Sequence, residues 1–273
     1  MAIAALNGVK MDYTNSKGKV LSALSDINLQ IHPHEFVCLI GKSGCGKTTL
    51  LNLLAGLLKP SGGVVEILGK PLKKPIGEAQ MVFQEYSLLP WRNILDNVGL
   101  GLELRGLKKD EWEQKAQGLL DTFGLEEFGH FYPHELSGGM RQRAAIARAM
   151  TTDPKLLYMD EPFGALDAQC RLMMQDELLK FWLESKPTVV FVTHSIEEAV
   201  FLGSRIVVLG GRPGKVVEDI SVELPYPRDR WNTEFGQYCK HLLSLLQAEP
   251  YSFAGRKDAQ KTPILRHQQK SCC

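Results

Sequence analysis

Residues 41–48 read Gly-Lys-Ser-Gly-Cys-Gly-Lys-Thr, so that two glycines bracket four residues and are followed by Lys-Thr. This is the spacing of a phosphate-binding loop, or P-loop. The apolar residues 36–40 predict a buried parallel strand before the loop, and residues 49–55 predict a helix after it. A Gly/Ser-rich turn could end in Lys-Thr by chance, but the strand and the helix on either side argue against that reading. The chain is therefore constrained to an α/β fold in which this loop holds a phosphate chain.

Each part of the loop suits the binding of phosphate. Glycines let the backbone wrap the anion so that N–H groups converge on it, and the following helix directs the positive end of its dipole to the same place. The side chain of Lys47 is predicted to reach the β- and γ-phosphates of a nucleotide, and the hydroxyl of Thr48 to bind Mg²⁺. The predicted phosphate-binding residues are Gly41, Lys42, Ser43, Gly44, Cys45, Gly46, Lys47, Thr48 and Thr49.

Cys45 lies within this loop, at the N-terminal end of the predicted helix. A helix N-terminus favours the thiolate form of a cysteine. We therefore expect alkylation of Cys45 to block nucleotide binding, and bound nucleotide to protect the thiol.

Composition limits the classes of partner. The 273 residues can bury a sizeable core in one large domain or two lobes, and the formal net charge of +1 provides no basic surface for nucleic acid. Residues 1–6 lack the features of a secretory signal, and no apolar run approaches the ~18 residues of a membrane helix. The six cysteines have no metal-ligand spacing, so a reducing cytoplasm is the expected compartment.

Strand and helix patterns alternate along most of the chain. Strands are predicted at 8–13 and 27–31 (joined by a turn at 15–19), 64–67, 79–83, 155–159, 188–192, 205–209 and 216–220. Helices are predicted at 94–104, 110–123, 138–150, 168–184, 196–202 and 233–247. This order predicts a largely parallel sheet with antiparallel edge strands and a helical insertion, followed by a polar tail over 249–273 that ends in Cys272-Cys273.

Residues 156–162 read Leu-Leu-Tyr-Met-Asp-Glu-Pro, an apolar strand that ends in two carboxylates. Asp160 suits contact with Mg²⁺, directly or through water, and Glu161 could activate water as a general base. Pro162 ends the strand. An Asp-Glu pair is usually only a solvated strand end, but in a chain that also has a P-loop the catalytic interpretation is favoured.

Residues 136–143 read Leu-Ser-Gly-Gly-Met-Arg-Gln-Arg. Ser137 can cap a helix that begins at Gly138, which leaves backbone N–H groups available to an anion, although a simple N-cap would look the same. Ser137-Gly138-Gly139, followed closely by the Asp-Glu-Pro strand, resembles the signature of ATP-binding cassette (ABC) ATPases. The resemblance extends over about residues 9–230.

Further positions match this family in its order along the chain. Gln84 matches the Q-loop, Asp167 the D-loop and His194 the switch histidine, and Tyr13 matches the aromatic residue that stacks on adenine. Outside this context, Tyr13 would be a half-buried strand residue and His194 an ordinary strand-end histidine. Ser195 departs from the pattern, because the family often has Asp there.

The resemblance implies a domain organisation. A P-loop NTPase (RecA-like) core with an antiparallel β edge would occupy about 1–84 and 155–230, and a helical signature subdomain about 85–154. Together they would form an ABC ATPase domain of residues 1–230, and residues 231–273 would be a C-terminal helix and polar tail.

The resemblance also implies a mechanism that uses ATP and Mg²⁺. Two chains would pair head-to-tail as a homodimer, so that Ser137, Gly138 and Gly139 of one chain contact the ATP on the other chain's P-loop. Glu161 would act as general base and His194 as the sensor of the γ-phosphate, with Lys47 on the phosphates. Mg²⁺ would be held by Thr48, Asp160 and Gln84; Gln84 would also link the site to the helical region, and Asp167 would act across the dimer interface.

We consider three kinds of ABC protein: a DNA-repair ATPase, a translation protein and a transport ATPase. A DNA-repair ATPase would carry long coiled-coil or zinc insertions before the signature, and a translation protein would usually carry two cassettes; this chain has neither feature. A bacterial-type importer is therefore expected, with separate transmembrane permease subunits, a periplasmic or lipid-anchored solute-binding protein, and a peripheral position on the cytoplasmic face of the inner membrane.

Two stretches narrow the importer group. Residues 83–91, together with 212–214 and 224–228, resemble the ATPases that serve uptake of nitrate, sulfonate, taurine and bicarbonate. Importers of thiamine precursors share these features and remain the alternative. Trp91 lies where the family docks a permease, although it could equally be a packing residue. The solute itself contacts other subunits and is not expected to leave a mark on this chain.

Overall fold

A computed structural model describes residues 1–14 and 18–248. The strands, in chain order, are β1 (Ala4–Thr14), β2 (Val20–Ile31), β3 (Phe36–Gly41), β4 (Gly62–Ile67), β5 (Lys70–Pro71), β6 (Ala79–Val82), β7 (Leu156–Asp160), β8 (Thr188–Val192), β9 (Arg205–Gly210) and β10 (Lys215–Ser221). The α-helices are α1 (Lys47–Leu54), α2 (Ile94–Leu104), α3 (Lys109–Thr122), α4 (Gly138–Met150), α5 (Ala168–Ser185), α6 (Ile196–Leu202) and α7 (Thr233–Ala248).

Within the described residues, a six-stranded sheet has the order β10-β9-β3-β8-β7-β6, parallel except for β10. The strands β3, β7 and β8 are buried along their whole length, as expected for parallel strands covered on both faces. Their carboxyl ends lie side by side at one edge of the sheet. Ligands of open parallel sheets bind at that edge, so the fold brings the chain's most distinctive loops to one place.

A second sheet is antiparallel, with the order β2-β1-β4-β5 in the described part of the chain. The strands predicted at 8–13 and 27–31 are longer than expected, because β1 and β2 remain paired from Ala4↔Ile31 to Thr14↔Val20 through several bulges. The short strand β5 was not predicted from the sequence. Residues 15–17 of the predicted turn lie outside the described residues.

Two hydrophobic cores cover the two faces of the parallel sheet. Alternate side chains of β3 point to opposite faces: Phe36, Cys38 and Ile40 join the core that includes α2–α6, whereas Val37 and Leu39 join the core of α1 and the antiparallel sheet. The prediction of an α/β fold with an antiparallel edge is confirmed.

The helical insertion lies against the first of these cores. The helices α2, α3 and α4 contact one another there, and the close approach of α2 to α3 depends on Gly99, where a Cβ atom would lie 2.1 Å from the indole of Trp112. The C-terminal helix α7 packs on α6 and β9, and the predicted tail over 249–273 lies outside the described residues. No helix in the described part of the chain is both long and apolar enough to cross a bilayer.

Candidate active site

The P-loop connects β3 to α1 at the carboxyl edge of the parallel sheet. Gly46 precedes the helix with φ 97°, a left-handed conformation that favours glycine. The helix α1 begins at Lys47, two residues earlier than predicted, because Gly46 already provides its cap. The Lys47 ammonium donates to the carbonyl oxygens of Gly41 (2.8 Å) and Lys42 (3.4 Å), so the side chain lies folded back over the loop.

A turn at residues 212–214 supports this loop from behind. The Arg212 guanidinium donates to the Ser43 carbonyl oxygen at 2.9 Å. Gly214 packs so closely that a Cβ atom there would lie 1.9 Å from the Cys45 carbonyl oxygen. The sequence indicated this segment only as a mark of the importer group. Its contact with the P-loop joins positions about 170 residues apart in the chain, and no local pattern could have predicted it.

Cys45 is 3% exposed and belongs to the core around α1. Its thiol points into the protein, whereas its backbone remains part of the loop. Burial shields the sulfur from a reagent in this conformation, which argues against the predicted block of the site by alkylation of Cys45.

Asp160 ends β7 directly opposite the start of α1. The Thr48 hydroxyl donates to its carboxylate at 3.2 Å. Burial raises the pKa of Asp160, and the Thr48 hydrogen bond partly opposes this rise. A cleft of about 350 Å³ is lined by Thr48, Asp160 and Gln84. Hydroxyl, carboxylate and amide oxygens are hard ligands, so this donor set fits Mg²⁺.

Glu161 follows Asp160 and faces the neighbouring strand end. Its backbone has φ 46°, unusual for a residue with a side chain, and its N–H donates to the Val192 carbonyl oxygen at 3.0 Å. The carboxylate lies 3.4 Å from His194 Nδ1. Both side chains line a second cleft, of about 510 Å³, together with Gln84 and the P-loop residues Ser43, Gly44, Gly46, Lys47, Thr48 and Thr49.

Tyr13 stands near the end of β1, beside the P-loop. Its hydroxyl lies 3.4 Å from Thr49 Oγ1, and the side chain is 40% exposed. The ring is therefore next to the loop and accessible to a flat ligand, as the sequence-based prediction requires.

The Ser-Gly-Gly segment lies elsewhere. Ser137 caps α4, its hydroxyl oxygen accepting the Met140 N–H at 3.3 Å. Gly138 lies against Tyr86, and Gly139 lies against Leu166. Neither cleft at the P-loop is lined by Ser137, Gly138 or Gly139. Within one chain, the structure therefore does not bring residues 137–139 to the phosphate-binding loop.

Asp167 is exposed and caps α5, its carboxylate accepting the Cys170 N–H at 2.9 Å. A larger groove of about 740 Å³ lies between α5 and residues 227–231, and none of the predicted site residues lines it. Among the clefts described above, the one of about 510 Å³ combines P-loop backbone with Glu161, the predicted general base.

The P-loop follows β3, and the two carboxylates lie at the end of β7, which is separated from β3 by β8 in the sheet. This arrangement defines a P-loop NTPase. Residues 24–164 match the ABC transporter family. With this match and the relatives described next, the chain belongs to the ABC transporter family, as an ATP-binding subunit with ATPase activity.

Three relatives illustrate the breadth of the similarity. An uncharacterised ABC transporter ATP-binding protein of Methanocaldococcus jannaschii is 50% identical over 85% of this chain and 87% of its own length. A nitrate import ATP-binding protein of Synechocystis is 42% identical over 90% of this chain and 95% of its own. A taurine import ATP-binding protein of Rhizobium johnstonii is 48% identical over 73% of this chain and 76% of its own.

Solved structures agree with this assignment. A dimeric ATP-binding cassette in a post-hydrolysis state with ADP and Pi has a TM-score of 0.74 and 32% identity, covering 81% of this chain and 100% of that chain. A dimeric bacterial ABC transporter cassette has a TM-score of 0.75 and 33% identity with the same coverage.

Proposed function

We propose that this chain is the ATP-hydrolysing subunit of an importer for a small oxyanion or sulfonate, of the nitrate, sulfonate, taurine or bicarbonate class. The observation that carries the ATPase part is the cleft that combines the P-loop, Glu161 and His194. The solute class rests on the extended similarity to ATP-binding proteins named for nitrate and taurine import.

The residues of the cleft divide the work of phosphoryl transfer. The P-loop N–H groups and Lys47 bind the phosphate chain, which requires the ammonium to exchange its contacts with Gly41 and Lys42 for phosphate oxygens. Glu161 accepts a proton from the attacking water, and His194 contacts the γ-phosphate. Thr48, Asp160 and Gln84 would hold Mg²⁺, which neutralises charge on the phosphates when bound.

A second copy of the chain would complete each site. Residues 137–139 lie outside the P-loop clefts of their own chain, and the two solved structures described above, which are of one cassette protein, are both dimeric. We propose that the N–H groups at the start of α4 bind the ATP of the partner chain in a head-to-tail homodimer, with Asp167 at the interface. Residues 85–154 would act as the helical subdomain of the cassette.

Permease subunits would bind near Trp91, at the cytoplasmic face of the membrane. The Trp91 side chain is 71% exposed, in a loop held in place by the buried amide of Asn97. That amide accepts the Leu89 N–H at 2.7 Å and donates to the carbonyl oxygens of Leu89 (3.1 Å) and Arg92 (3.0 Å). A large aromatic side chain on a rigid loop is typical of a binding hot spot. The solute-binding protein would act through the permease, without contact to this chain.

Glu161→Gln tests the ATPase mechanism. The amide cannot accept the water proton, so steady-state hydrolysis should fall on the order of a hundredfold or more. ATP binding should persist, and size-exclusion chromatography with ATP should show an accumulated dimer. Glu223→Gln, an exposed change outside the cleft, is the matched control. Wild-type turnover in Glu161→Gln would refute Glu161 as the base.

The solute class is tested separately by uptake. A strain lacking this gene should lose uptake of one labelled oxyanion or sulfonate and recover it with the wild-type chain, but not with Glu161→Gln. Unchanged uptake of nitrate, taurine, other sulfonates and bicarbonate would refute the solute class while leaving the ATPase assignment intact.

A further inference from the structure

A buried carboxylate lies behind the loop that carries His194. Glu198, in the first turn of α6, is 7% exposed. Burial of a charge is costly unless hydrogen bonds and counter-charges compensate for the lost water. The contacts of Glu198 are therefore informative about why a carboxylate is retained there.

One carboxylate oxygen fixes the His194 loop. The Thr193 hydroxyl donates to Glu198 Oε2 at 2.5 Å. The same hydroxyl accepts the N–H of Ser195 at 3.0 Å. Because an acceptor at Oε2 orients the Thr193 hydroxyl, Glu198 constrains the chain immediately before and immediately after His194.

The other carboxylate oxygen faces α5. Gln175 Nε2 donates to Glu198 Oε1 at 3.3 Å, and Arg171 Nε lies 3.9 Å from the same oxygen. The Arg171 guanidinium in turn donates to the carbonyl oxygen of Leu166 at 3.0 Å, one residue before Asp167. Glu198 thus contacts the His194 loop directly, and it contacts the segment just before Asp167 through the side chain of Arg171.

The energetics favour a functional reason for this arrangement. Burial raises the pKa of Glu198, and the Thr193 hydrogen bond and the Arg171 charge lower it again only in part. Buried polar clusters of this kind are often no more stabilising than apolar packing of equal volume. What an apolar side chain could not supply is an acceptor that holds Thr193 on one side and a charge that attracts Arg171 on the other.

We infer that Glu198 is a positioning residue that holds the loops of His194 and Asp167 in fixed relation to each other. This inference rests on the proposed role of His194 at the γ-phosphate. Glu198 itself lines neither P-loop cleft and would not touch the nucleotide.

Two substitutions test the inference in the full-length chain with Mg²⁺ and ATP. Glu198→Gln keeps the shape but loses the charge, and Thr193→Val keeps the volume but loses the hydroxyl. Each should lower kcat on the order of tenfold or more while leaving KM for ATP nearly unchanged, because misplacement affects the reacting geometry more than phosphate binding. Thr193→Ser keeps the hydroxyl and should keep the wild-type kcat. Glu197→Gln, an exposed neighbour on the same helix, should match wild type.

A second measurement does not depend on activity. Hydrogen–deuterium exchange should become faster in Glu198→Gln over residues 193–197 and 166–170, and remain at the wild-type rate in Glu197→Gln. If Glu198→Gln fails to fold, the comparison of Thr193→Val with Thr193→Ser still decides the role of the hydroxyl contact.

The outcomes separate this inference from the proposed function. If His194→Ala abolishes hydrolysis but Glu198→Gln and Thr193→Val retain wild-type kcat, the positioning role is wrong and the function stands. A loss of kcat without faster exchange in either loop would also overturn the positioning role. If His194→Ala hydrolyses ATP normally, the role of His194 in the proposed function fails, and faster exchange would still support the contact network.

Discussion

Gly214→Ala should weaken ATP binding, although residue 214 does not line either nucleotide cleft. The glycine lies between the P-loop and β2, where its N–H donates to the Ala23 carbonyl oxygen (2.9 Å) and its own carbonyl oxygen accepts the Ser25 N–H (3.0 Å). Those two bonds keep residue 214 from moving away from the loop. An added methyl group therefore has to displace the P-loop backbone at Cys45.

The size of the displacement follows from the geometry. The alanine Cβ would lie 1.9 Å from the Cys45 carbonyl oxygen, whereas real Cβ contacts are essentially never below 3.0 Å. The loop must therefore shift by roughly 1 Å, a misplacement that can cost about two orders of magnitude at a reacting site. Overpacking of a well-packed site typically costs about 1–3 kcal/mol. If the loop bears that cost, the Kd for ATP should rise about five- to 150-fold.

Calorimetric titration with ATP under conditions that prevent hydrolysis measures this change. Gly236→Ala is the matched control, because it lies in α7 and a Cβ there meets no atom within 4 Å. The control should bind ATP as wild type does and be slightly more stable, since alanine is favoured over glycine in helices. A Gly214→Ala protein that folds and binds ATP with wild-type affinity would refute the idea that the 212–214 turn supports the loop.

Two further predictions concern Asp160 and Trp91. Burial raises the pKa of Asp160, so the carboxyl group binds its proton more tightly in the folded chain than in the unfolded chain. The ionised carboxylate therefore destabilises the fold at neutral pH. Asp160→Asn, measured with a chelator and without ATP, should melt at a higher temperature than wild type near pH 7, and the difference should vanish below the ordinary Asp pKa of about 4. A lower melting temperature at pH 7 would contradict this reasoning. Trp91→Ala should weaken binding to the permease by about 2 kcal/mol, or roughly thirtyfold, and leave ATP binding by the isolated chain unchanged; lost ATP binding would instead assign the indole a packing role.

The elements that could be predicted from the sequence are those whose cause is local. The burial of β3 and β8 follows from continuous apolar runs, and the start of α4 follows from a Ser that caps it. The cleft followed too, because parallel strands place their carboxyl ends at one edge, where Asp160, Glu161 and His194 meet the P-loop. Contacts that depend on tertiary packing could not be predicted from the sequence.

Cys45 and Glu198 show why those contacts escaped prediction. The position of Cys45 in the loop indicated a reactive thiol, but whether the side chain points outward or into the core depends on the antiparallel sheet packed behind it. Glu198 is one of two adjacent glutamates in a short helix, and nothing in the pattern distinguishes the buried residue from the exposed Glu197. Only the positions of α5 and β8 make that distinction.

The segment from Gln84 to Trp91 connects three parts of the molecule. It begins in the nucleotide cleft with Gln84. It is then bound to α4, because the Arg148 guanidinium donates to the Ser87 carbonyl oxygen at 2.8 Å and the Arg141 guanidinium lies 5.1 Å from the centre of the Tyr86 ring. It ends at the exposed indole.

These attachments support a specific proposal for how ATP would act on a permease. Gly138, at the start of α4, packs against Tyr86, so the helix that is proposed to bind the partner's ATP contacts the same segment that presents Trp91. A shift of α4 on closure of the dimer would therefore be transmitted to the proposed permease contact through packed side chains and hydrogen bonds. The exposed end of the segment is itself held by Asn97 of α2, so it would move with the helices rather than bend separately from them. The helices would then determine how this segment moves, and Gln84 would connect that movement to the nucleotide in the cleft.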